Sequence, residues 1–242
     1  MAEYGRPDYW TLRAKKEGYP ARSVYKLEEI VRKFGLLRII CGERSVREGC
    51  VREGCVREGG PTILDVGAAP GSWSLWLLRQ MKGRGTLMAV DIQDLDIVPQ
   101  IEAMGLHKAT GTAKVDEPIG AHFTFVKGSI LDEPVRARLR ELGPYNLVVS
   151  DAAPATSGNR LVDQARSEEL VEAVIELALE VLAPGGALVT KIFQGGEERR
   201  LLTKLRAHFA QARAFKPQAC RSESFETYLV ATGFCKSPEQ AC

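Results

Sequence analysis

The chain has 242 residues, of which 45% are apolar and 26% are charged, an ordinary globular composition that can bury a sizeable core. At this length one large domain is more common than two small ones. No stretch approaches the ~20 apolar residues that span a bilayer, and the first residues form no apolar signal core, so we expect neither membrane insertion nor export. Six cysteines are too few for a disulfide scaffold, and we expect reduced thiols and a cytoplasmic protein.

The formal net charge is only +2, but the charges are unevenly distributed along the chain. Residues 1–40 carry a net charge of +4 and residues 199–221 a net charge of +7, which leaves −9 on the rest. Two separated basic segments can form one basic face in a folded protein. A near-neutral total charge therefore does not exclude a nucleic-acid partner.

The first predicted element is a helix over residues 21–37, within a basic N-terminal helical extension that covers residues 1–40. Short β-forming runs and helical segments then alternate. The predicted strands are Thr62–Val66, Thr86–Asp91, Phe123–Lys127, Asn146–Ser150, Ala187–Phe193 and Tyr228–Thr232. The predicted helices are Ser72–Met81, Glu133–Leu142, Asp163–Leu182 and Glu197–Phe209. This alternation indicates βαβ units, and hence a single doubly wound, mainly parallel α/β domain over residues 61–236.

Two segments interrupt this pattern. The pentapeptide Val-Arg-Glu-Gly-Cys is repeated three times over residues 46–60, with Gly as the last residue of the third copy. A period of five fits neither helix nor strand, so we interpret residues 41–60 as a solvated insertion. The alternative is a metal site formed by Cys41, Cys50 and Cys55, but their spacing fits no common zinc pattern and we expect no metal. Residues 97–120 indicate a second insertion.

A glycine-containing turn follows the first strand, where residues 64–73 read Leu-Asp-Val-Gly-Ala-Ala-Pro-Gly-Ser-Trp. Gly67 and Gly71 permit a tight turn and close approach to a ligand. The spacing G-x-x-x-G matches neither the dinucleotide fingerprint nor the P-loop, and the carboxylate of Asp65 would repel a phosphate. A cationic ligand such as S-adenosylmethionine fits better. Asp91, which ends the next strand, can accept hydrogen bonds from both hydroxyls of an adenosine ribose.

The segment after the fourth predicted strand, Ser150–Pro154, has neither the aromatic residue of amino-nitrogen methyltransferases nor the cysteine that cytosine-C5 chemistry needs nearby. Instead, charged residues stand where such a sheet is normally apolar. They are Lys191 and Glu226 in strands, Asp151 at a strand end and Lys26 on the N-terminal helix.

A buried lysine is costly unless it is paired or used. Neutral Lys191 can take the proton of an alcohol during methyl transfer, whereas the alternative role is a structural ion pair. A nearby positive charge on Lys26 would favour the neutral form of Lys191, whereas the negative charge of Asp151 would favour its charged form. The sequence alone therefore does not decide which form of Lys191 predominates.

These residues resemble the FtsJ-like family of RNA 2′-O-ribose methyltransferases, particularly the bacterial and archaeal enzymes of large-subunit ribosomal RNA. The resemblance extends from about Asp8 to Phe234. It rests on the segments Ala21–Leu27, Leu64–Trp73, Ser150–Pro154, Leu182–Gly186, Lys191–Gly195 and Tyr228–Gly233. It implies a seven-stranded Rossmann-like domain that binds S-adenosylmethionine. It also implies a tetrad of Lys26, Asp151, Lys191 and Glu226, with Lys191 as the base.

The family's cofactor contacts correspond to Gly71, Trp73, Asp91 and Asp151 in this sequence. Ser72 replaces the second Gly of the usual Pro-Gly-Gly-Trp. Ser129 stands where the family usually has an acidic residue near the adenine, and Asp132 is an alternative for that contact. The predicted cofactor-binding residues are therefore Asp65, Gly67, Gly71, Ser72, Trp73, Asp91, Ser129 and Asp151.

The resemblance implies methylation of a ribose 2′-hydroxyl in structured RNA, with a uridine of 23S ribosomal RNA as the expected target. Transfer RNA, a messenger cap and a non-catalytic role in ribosome assembly are alternatives. We expect no DNA or membrane partner, and a monomer is favoured. The basic segments would neutralise phosphates. The aromatic residues Tyr4, Tyr9, Trp10 and Tyr19 either stack on unpaired bases or anchor the extension.

Overall fold

The computed structural model describes residues 8–42, 59–103, 122–155, 157–195, 197–221 and 224–235. The strands in these ranges are β1 (Thr62–Val66), β2 (Thr86–Asp91), β3 (His122–Lys127), β4 (Tyr145–Ser150), β5 (Leu182–Phe193), β6 (Phe209–Phe215) and β7 (Glu226–Phe234). The helices are α1 (Tyr9–Glu17), α2 (Val24–Phe34), α3 (Leu37–Ile40), α4 (Ser72–Met81), α5 (Val98–Ala103), α6 (Glu133–Leu142), α7 (Arg160–Val181) and α8 (Glu198–Arg206).

The strands form one sheet of order β3-β2-β1-β4-β5-β7-β6. Neighbouring strands from β3 to β5 are parallel, whereas β7 runs antiparallel to both β5 and β6. The chain reverses its direction of winding between β1 and β4, where Val66 pairs with Ser150. In a doubly wound sheet this switch point opens a crevice at the carboxyl ends of the strands, where ligands bind.

Apolar side chains fill both faces of the sheet. On one face α2 and α4 contribute Leu27 and Leu75 to a cluster with sheet residues such as Val149. On the other face α6, α7 and α8 pack against alternate residues of the same strands, Val148 among them. The expected doubly wound, mainly parallel α/β domain is therefore confirmed, with the N-terminal helices packed directly on it. Among the described residues, no helix is both long enough and apolar enough to cross a membrane.

The structure corrects the predicted elements in two places. The segment Phe209–Phe215 forms the edge strand β6, whereas the sequence predicts a helix up to Phe209 and no strand between that helix and Tyr228. The sequence does not predict this strand because its alternating alanines favour helices and because it contains no β-branched residue. The helix predicted over residues 21–37 is shorter, because Gly35 takes a left-handed conformation with φ of +66° and ends α2.

The two segments interpreted as insertions lie partly outside the described residues. Residues 43–58, with Cys50 and Cys55, are not described, and the described residues contain no group of three or more metal-ligating side chains. Cys41 is half-buried, and its Sγ lies 3.8 Å from the carbonyl oxygen of Gln80. The segment 97–120 begins with buried Ile97 and includes α5, so its first residues pack into the domain core.

Candidate active site

Two lysine–carboxylate pairs lie at the carboxyl edge of the sheet. Nζ of Lys191 lies 3.0 Å from Oδ1 of Asp151 and donates a hydrogen bond of 2.5 Å to the carbonyl oxygen of the same residue. Nζ of Lys26 donates to Oε2 of Glu226 at 2.5 Å. Lys191 is 7% exposed and Lys26 8%, so both lysines are withdrawn from solvent. The structure thus brings the four residues of the predicted tetrad together as two ion pairs.

Strand register explains this convergence. Ser150 pairs with Thr190, which places the next residues along the two parallel strands, Asp151 and Lys191, side by side. Because β7 is antiparallel, it begins at the edge where β5 ends, and Glu226 pairs there with Phe193. The N-terminal extension supplies the fourth residue from α2.

The two carboxylates determine the charge state of Lys26. Burial alone would lower the pKa of this lysine, but Asp151 and Glu226 outweigh burial and raise the pKa above its ordinary value. Lys26 therefore remains protonated at neutral pH. Its position beside Asp151 as well as Glu226 joins the two ion pairs electrostatically.

Tyr228 is a member of this site that the sequence reasoning missed. Its hydroxyl donates a hydrogen bond of 2.7 Å to Oδ1 of Asp151. The side chain is fully buried, and burial, reinforced by the charge of Asp151, raises the pKa of Tyr228 well above its ordinary value. A sequence signal exists: Tyr228 stands two residues after Glu226 in a strand, on the same face, and a buried tyrosine hydroxyl needs a partner.

Asp65 lies under the glycine-containing loop and is completely buried. Its Oδ2 accepts a hydrogen bond of 2.6 Å from the hydroxyl of Ser74, whereas Oδ1 has no hydrogen-bond partner among the described residues. Burial raises the pKa of Asp65 to about 7. A buried carboxylate oxygen without a partner is the kind of acceptor that a ligand ammonium, or a water bound to it, satisfies.

The loop glycines are required by the packing of the protein on itself. Gly67 has a φ of +72°, and a Cβ atom there would lie 2.5 Å from Cβ of Ala152 in the neighbouring loop. Gly71 has a φ of +108°, and a Cβ there would lie 2.7 Å from the side chain of Ile97. The structure thus gives a packing reason for both glycines, and the close approach of a ligand to them stays a prediction.

Ser72 and Trp73 hold the N-terminal extension through their side chains. The hydroxyl of Ser72 accepts a hydrogen bond of 2.7 Å from the backbone N–H of Ala21. The indole Nε1–H of Trp73 donates to the carbonyl oxygen of Ser23 at 2.9 Å. Contact of Ser72 and Trp73 with a cofactor stays a prediction. Because their side chains are engaged, the backbone N–H groups at the start of α4 would make this contact.

Asp91 ends β2 with its carboxylate held by the backbone. Oδ2 accepts the N–H of Ala69 at 2.9 Å, and Oδ1 accepts the N–H of Gln93 at 2.8 Å. Each oxygen retains a further acceptor position, which suits a pair of ribose hydroxyls. The half-buried carboxylate is fixed before any ligand binds.

Ser129 and Asp132 both remain candidates for the contact near the adenine. The hydroxyl oxygen of Ser129 accepts the N–H of Leu131 at 3.1 Å and keeps its own proton for donation. Asp132 is exposed and precedes α6, and its side chain makes no capping hydrogen bond there. Together with Asp65 and Asp91, these residues fit the ammonium, ribose and adenine groups of S-adenosylmethionine.

Two of the aromatic residues of the extension have the anchoring role expected of them. Trp10 and Tyr19 pack against the ring of Tyr25 with centroid distances of 5.1 and 6.5 Å, so both anchor the extension. Tyr9 is 68% exposed, and Tyr4 lies outside the described residues.

The basic segment 199–221 is partly neutralised within the protein. Arg200 forms ion pairs with Glu168, Glu172 and Glu197, and Nζ of Lys204 lies 3.6 Å from Glu176. The net charge of +7 counted along this segment therefore overstates the positive charge available to a partner.

The strand order, the loop at the switch point and the acidic residues near the ends of β1 and β2 define a Rossmann-like, S-adenosylmethionine-dependent methyltransferase. The model of the FtsJ-like methyltransferase family matches residues 19–234. The chain belongs to the FtsJ-like methyltransferase family.

Relatives agree with this assignment, and a solved structure shares the fold. The ribosomal RNA large subunit methyltransferase E of Treponema denticola is 42% identical over 232 residues, which cover 96% of this chain and 97% of the relative. The protein of the same name from Borreliella afzelii is 39% identical, with 95% and 99% covered. A candidate ribosomal RNA methyltransferase of Plasmodium falciparum has the same fold, with a TM-score of 0.62, 22% identity, and 89% of this chain and 98% of that chain covered.

Proposed function

We propose that this protein methylates a ribose 2′-hydroxyl of large-subunit ribosomal RNA, at a uridine, with S-adenosylmethionine as methyl donor. The observation that carries the proposal is the buried pair of Lys191 and Asp151 beside the loop at the switch point. A protein that only binds RNA has no need of a desolvated lysine at this position. The large-subunit names of the relatives favour ribosomal RNA over transfer RNA or a messenger cap. A ribosomal substrate also favours the cytoplasm.

In the proposed reaction Lys191 first loses the proton of its ion-paired ammonium form to solvent. The neutral amine then accepts the proton of the 2′-hydroxyl as that oxygen becomes the nucleophile. Asp151 fixes the direction of Nζ through two contacts, and Tyr228 fixes Asp151. Bound S-adenosylmethionine supplies an electrophilic sulfonium methyl group. Lys26, protonated and held by Glu226, places a positive charge beside the reacting oxygen.

The cofactor-binding roles follow from the same edge of the sheet. Asp91 accepts hydrogen bonds from the two ribose hydroxyls, because backbone N–H groups already orient both of its carboxylate oxygens. The free oxygen of Asp65 is enclosed by protein and reaches the ammonium group through a bound water. The backbone N–H groups at the start of α4, after Gly71, point toward the carboxylate group of S-adenosylmethionine. Ser129 or Asp132 contacts the adenine.

The two basic segments meet at a cleft, which supports an RNA-facing surface there. A cleft of about 400 Å³ is lined by Lys33 at the end of α2 and by Arg213 on the edge strand β6. Nζ of Lys33 lies 4.3 Å from the ring centroid of Phe215 in the same cleft. Lys33 is seven residues after Lys26, which puts both on one side of α2 about 10 Å apart along the helix axis. We propose that RNA follows this side of the extension, residues 1–40, to the tetrad.

The substrate is identified by mapping 2′-O-methyl groups on cellular RNA with and without this protein. We expect one uridine of large-subunit ribosomal RNA to lose its methyl group in cells that lack the protein, and to regain it when the wild-type chain is restored. Restoration with Lys191→Ala serves as the matched control and leaves the site unmethylated. Loss of methylation confined to transfer RNA, or no loss at all, would contradict the proposal.

A further inference from the structure

Exposed large apolar side chains concentrate at the carboxyl edge of the sheet. In the described part of the chain, three such residues belong to the N-terminal helices, namely Tyr9, Leu12 and Leu37. The other five, Ile92, Leu131, Leu161, Val162 and Phe225, all belong to segments at this edge. Apolar exposure grouped around a site marks a surface that a ligand or partner covers.

The proposed cofactor site accounts for only part of this surface. Ile92 follows Asp91, and Leu131 follows Ser129 after one intervening residue, so both flank the predicted adenosine contacts. Leu161, Val162 and Phe225 come from the other side of the site, from the start of α7 and the residue before β7. Neither the tetrad nor the cofactor contacts explain their exposure.

Phe225 has a defined environment beside the tetrad. It directly precedes Glu226, and its carbonyl oxygen accepts the N–H of Gln194, three residues after Lys191, at 2.8 Å. The guanidinium carbon of Arg160, the first residue of α7, lies 3.8 Å from the centroid of the Phe225 ring. The side chain of Phe225 nevertheless remains 48% exposed. The ring is therefore supported by a cation on one side and open to solvent at the catalytic edge.

The start of α7 is fixed to the same edge. Nε2 of Gln164 donates a hydrogen bond of 2.5 Å to the carbonyl oxygen of Gln194, and Asn159 caps the helix through its side chain. The helix that begins with Arg160 is thus attached, through Gln164, to the strand end that carries Lys191. An aromatic ring and a guanidinium held together at such a place match the way unpaired RNA bases are bound, by stacking on aromatic rings and on arginine planes.

We propose that Phe225 and Arg160 form a stacking subsite for a nucleobase next to the methylated nucleotide, a role that presupposes the RNA substrate proposed above. The base covers the open part of the Phe225 ring. Arg160 holds the ring from the other side and adds positive charge for the RNA backbone. Phe225 is a positioning residue, since it binds RNA beside the reacting hydroxyl and takes no part in proton transfer.

The test compares Phe225→Ala with Phe225→Tyr, which keeps the ring, and with Phe225→Leu, which keeps apolar volume without a ring. Methyl transfer is measured on large ribosomal subunits from cells that lack the protein, and affinity for S-adenosylmethionine is measured by calorimetry. Because base stacking is sequence-tolerant and strong, we expect Phe225→Ala to raise KM for the subunits about tenfold or more. The kcat value and the cofactor affinity stay near those of the wild type, and Arg160→Ala raises KM in the same direction.

Phe225→Tyr should retain a wild-type KM, and Phe225→Leu should behave like Phe225→Ala. The subsite would be overturned if Phe225→Leu and Phe225→Tyr had the same, wild-type KM. It would also be overturned if neither Phe225→Ala nor Arg160→Ala changed KM. Binding of the four variants to a large-subunit RNA fragment, measured by filter retention, gives the same comparison without methyl transfer. Failure of the wild-type protein to transfer methyl contradicts the proposed function, whereas equal RNA affinity of all variants contradicts the subsite.

Discussion

The hydroxyl of Tyr228 donates a hydrogen bond of 2.7 Å to Oδ1 of Asp151. The same carboxylate oxygen lies 3.0 Å from Nζ of Lys191. One oxygen is thus held from β7 and from β5 at once, and its position relative to the lysine cannot change without moving a buried tyrosine. We infer that this three-strand arrangement fixes the direction in which Lys191 presents its amino group.

Tyr228→Phe removes the hydrogen bond and keeps the aromatic volume. We expect kcat to fall about tenfold, the effect of losing roughly 1.4 kcal/mol of transition-state positioning, with unchanged affinity for S-adenosylmethionine. Single-turnover methyl transfer and calorimetry on the same preparation measure the two quantities. A kcat within twofold of the wild type would show that Asp151 needs no support from β7.

Asp91→Ala should weaken binding of S-adenosylmethionine by about two orders of magnitude or more, because each of the two ribose hydrogen bonds to this charged acceptor contributes about 1.5–3 kcal/mol. Calorimetry on the purified protein measures this directly. Asp94→Ala is the control, because Asp94 is a nearby exposed carboxylate that pairs with Lys127 and has no predicted cofactor contact, and its loss should leave the affinity near that of the wild type. Equal affinity of Asp91→Ala and the wild type would refute the ribose role.

Asp65 should make stability depend on pH. Burial raises the pKa of Asp65 to about 7 in the folded protein from 3.8, so the folded state binds this proton more tightly than the unfolded chain. The free energy of unfolding contributed by this group therefore falls as the pH rises from about 4 through about 7. Asp65→Asn cannot ionise, and its stability relative to the wild type should increase between about pH 5 and about pH 7.

Urea unfolding without added cofactor measures the difference between the Asp65→Asn and wild-type proteins at each pH. Asp163→Asn is the matched control, because hydrogen bonds from the backbone and hydroxyl of Ser157 lower the pKa of Asp163. Its stability contribution is lost only in acid, so the difference caused by Asp163→Asn should stay constant over the same range. A constant difference for Asp65→Asn as well would mean that Asp65 is ionised throughout.

The cleft between α2 and β6 should contribute to RNA binding through charge. Lys33→Ala and Arg213→Ala should each weaken binding of large-subunit RNA at low salt and reduce the slope of log affinity against log salt by about one. Arg138→Ala on α6, an exposed residue paired with Glu141, is the control and should leave the slope unchanged. Unchanged slopes in the two cleft variants would remove this cleft from the RNA-facing surface.

The sequence predicts the five parallel strands and the loop at the switch point because their apolar runs and glycines reflect local requirements. It does not predict β6, whose side chains favour a helix and whose strand conformation depends on pairing with β7. Tertiary pairing of this kind overrides local preference. The helix predicted at the amino terminus is too long for a different and local reason, because Gly35 forms a left-handed cap that ends α2.

The unexpected charged residues together with the family resemblance made the tetrad predictable, whereas contacts that depend on the three-dimensional fold were not predictable. The hydrogen-bond partners of Ser72 and Trp73 lie about fifty residues earlier in the chain, and no pattern in the sequence predicts these contacts. Arg200 counts as a free cation along the chain, but the carboxylates of α7 pair with it in space. Sequence identifies unusual residue types, and the structure determines which of them remain available to a ligand.

The most direct test of the proposed mechanism is single-turnover transfer of labelled methyl to large ribosomal subunits, comparing the wild type with Lys191→Ala at saturating S-adenosylmethionine. General-base catalysis contributes about 10²–10⁴-fold, so we expect the variant rate to fall by at least two orders of magnitude while cofactor affinity is retained. Equal rates for the two proteins would contradict the assignment of Lys191 as the group that receives the proton of the 2′-hydroxyl.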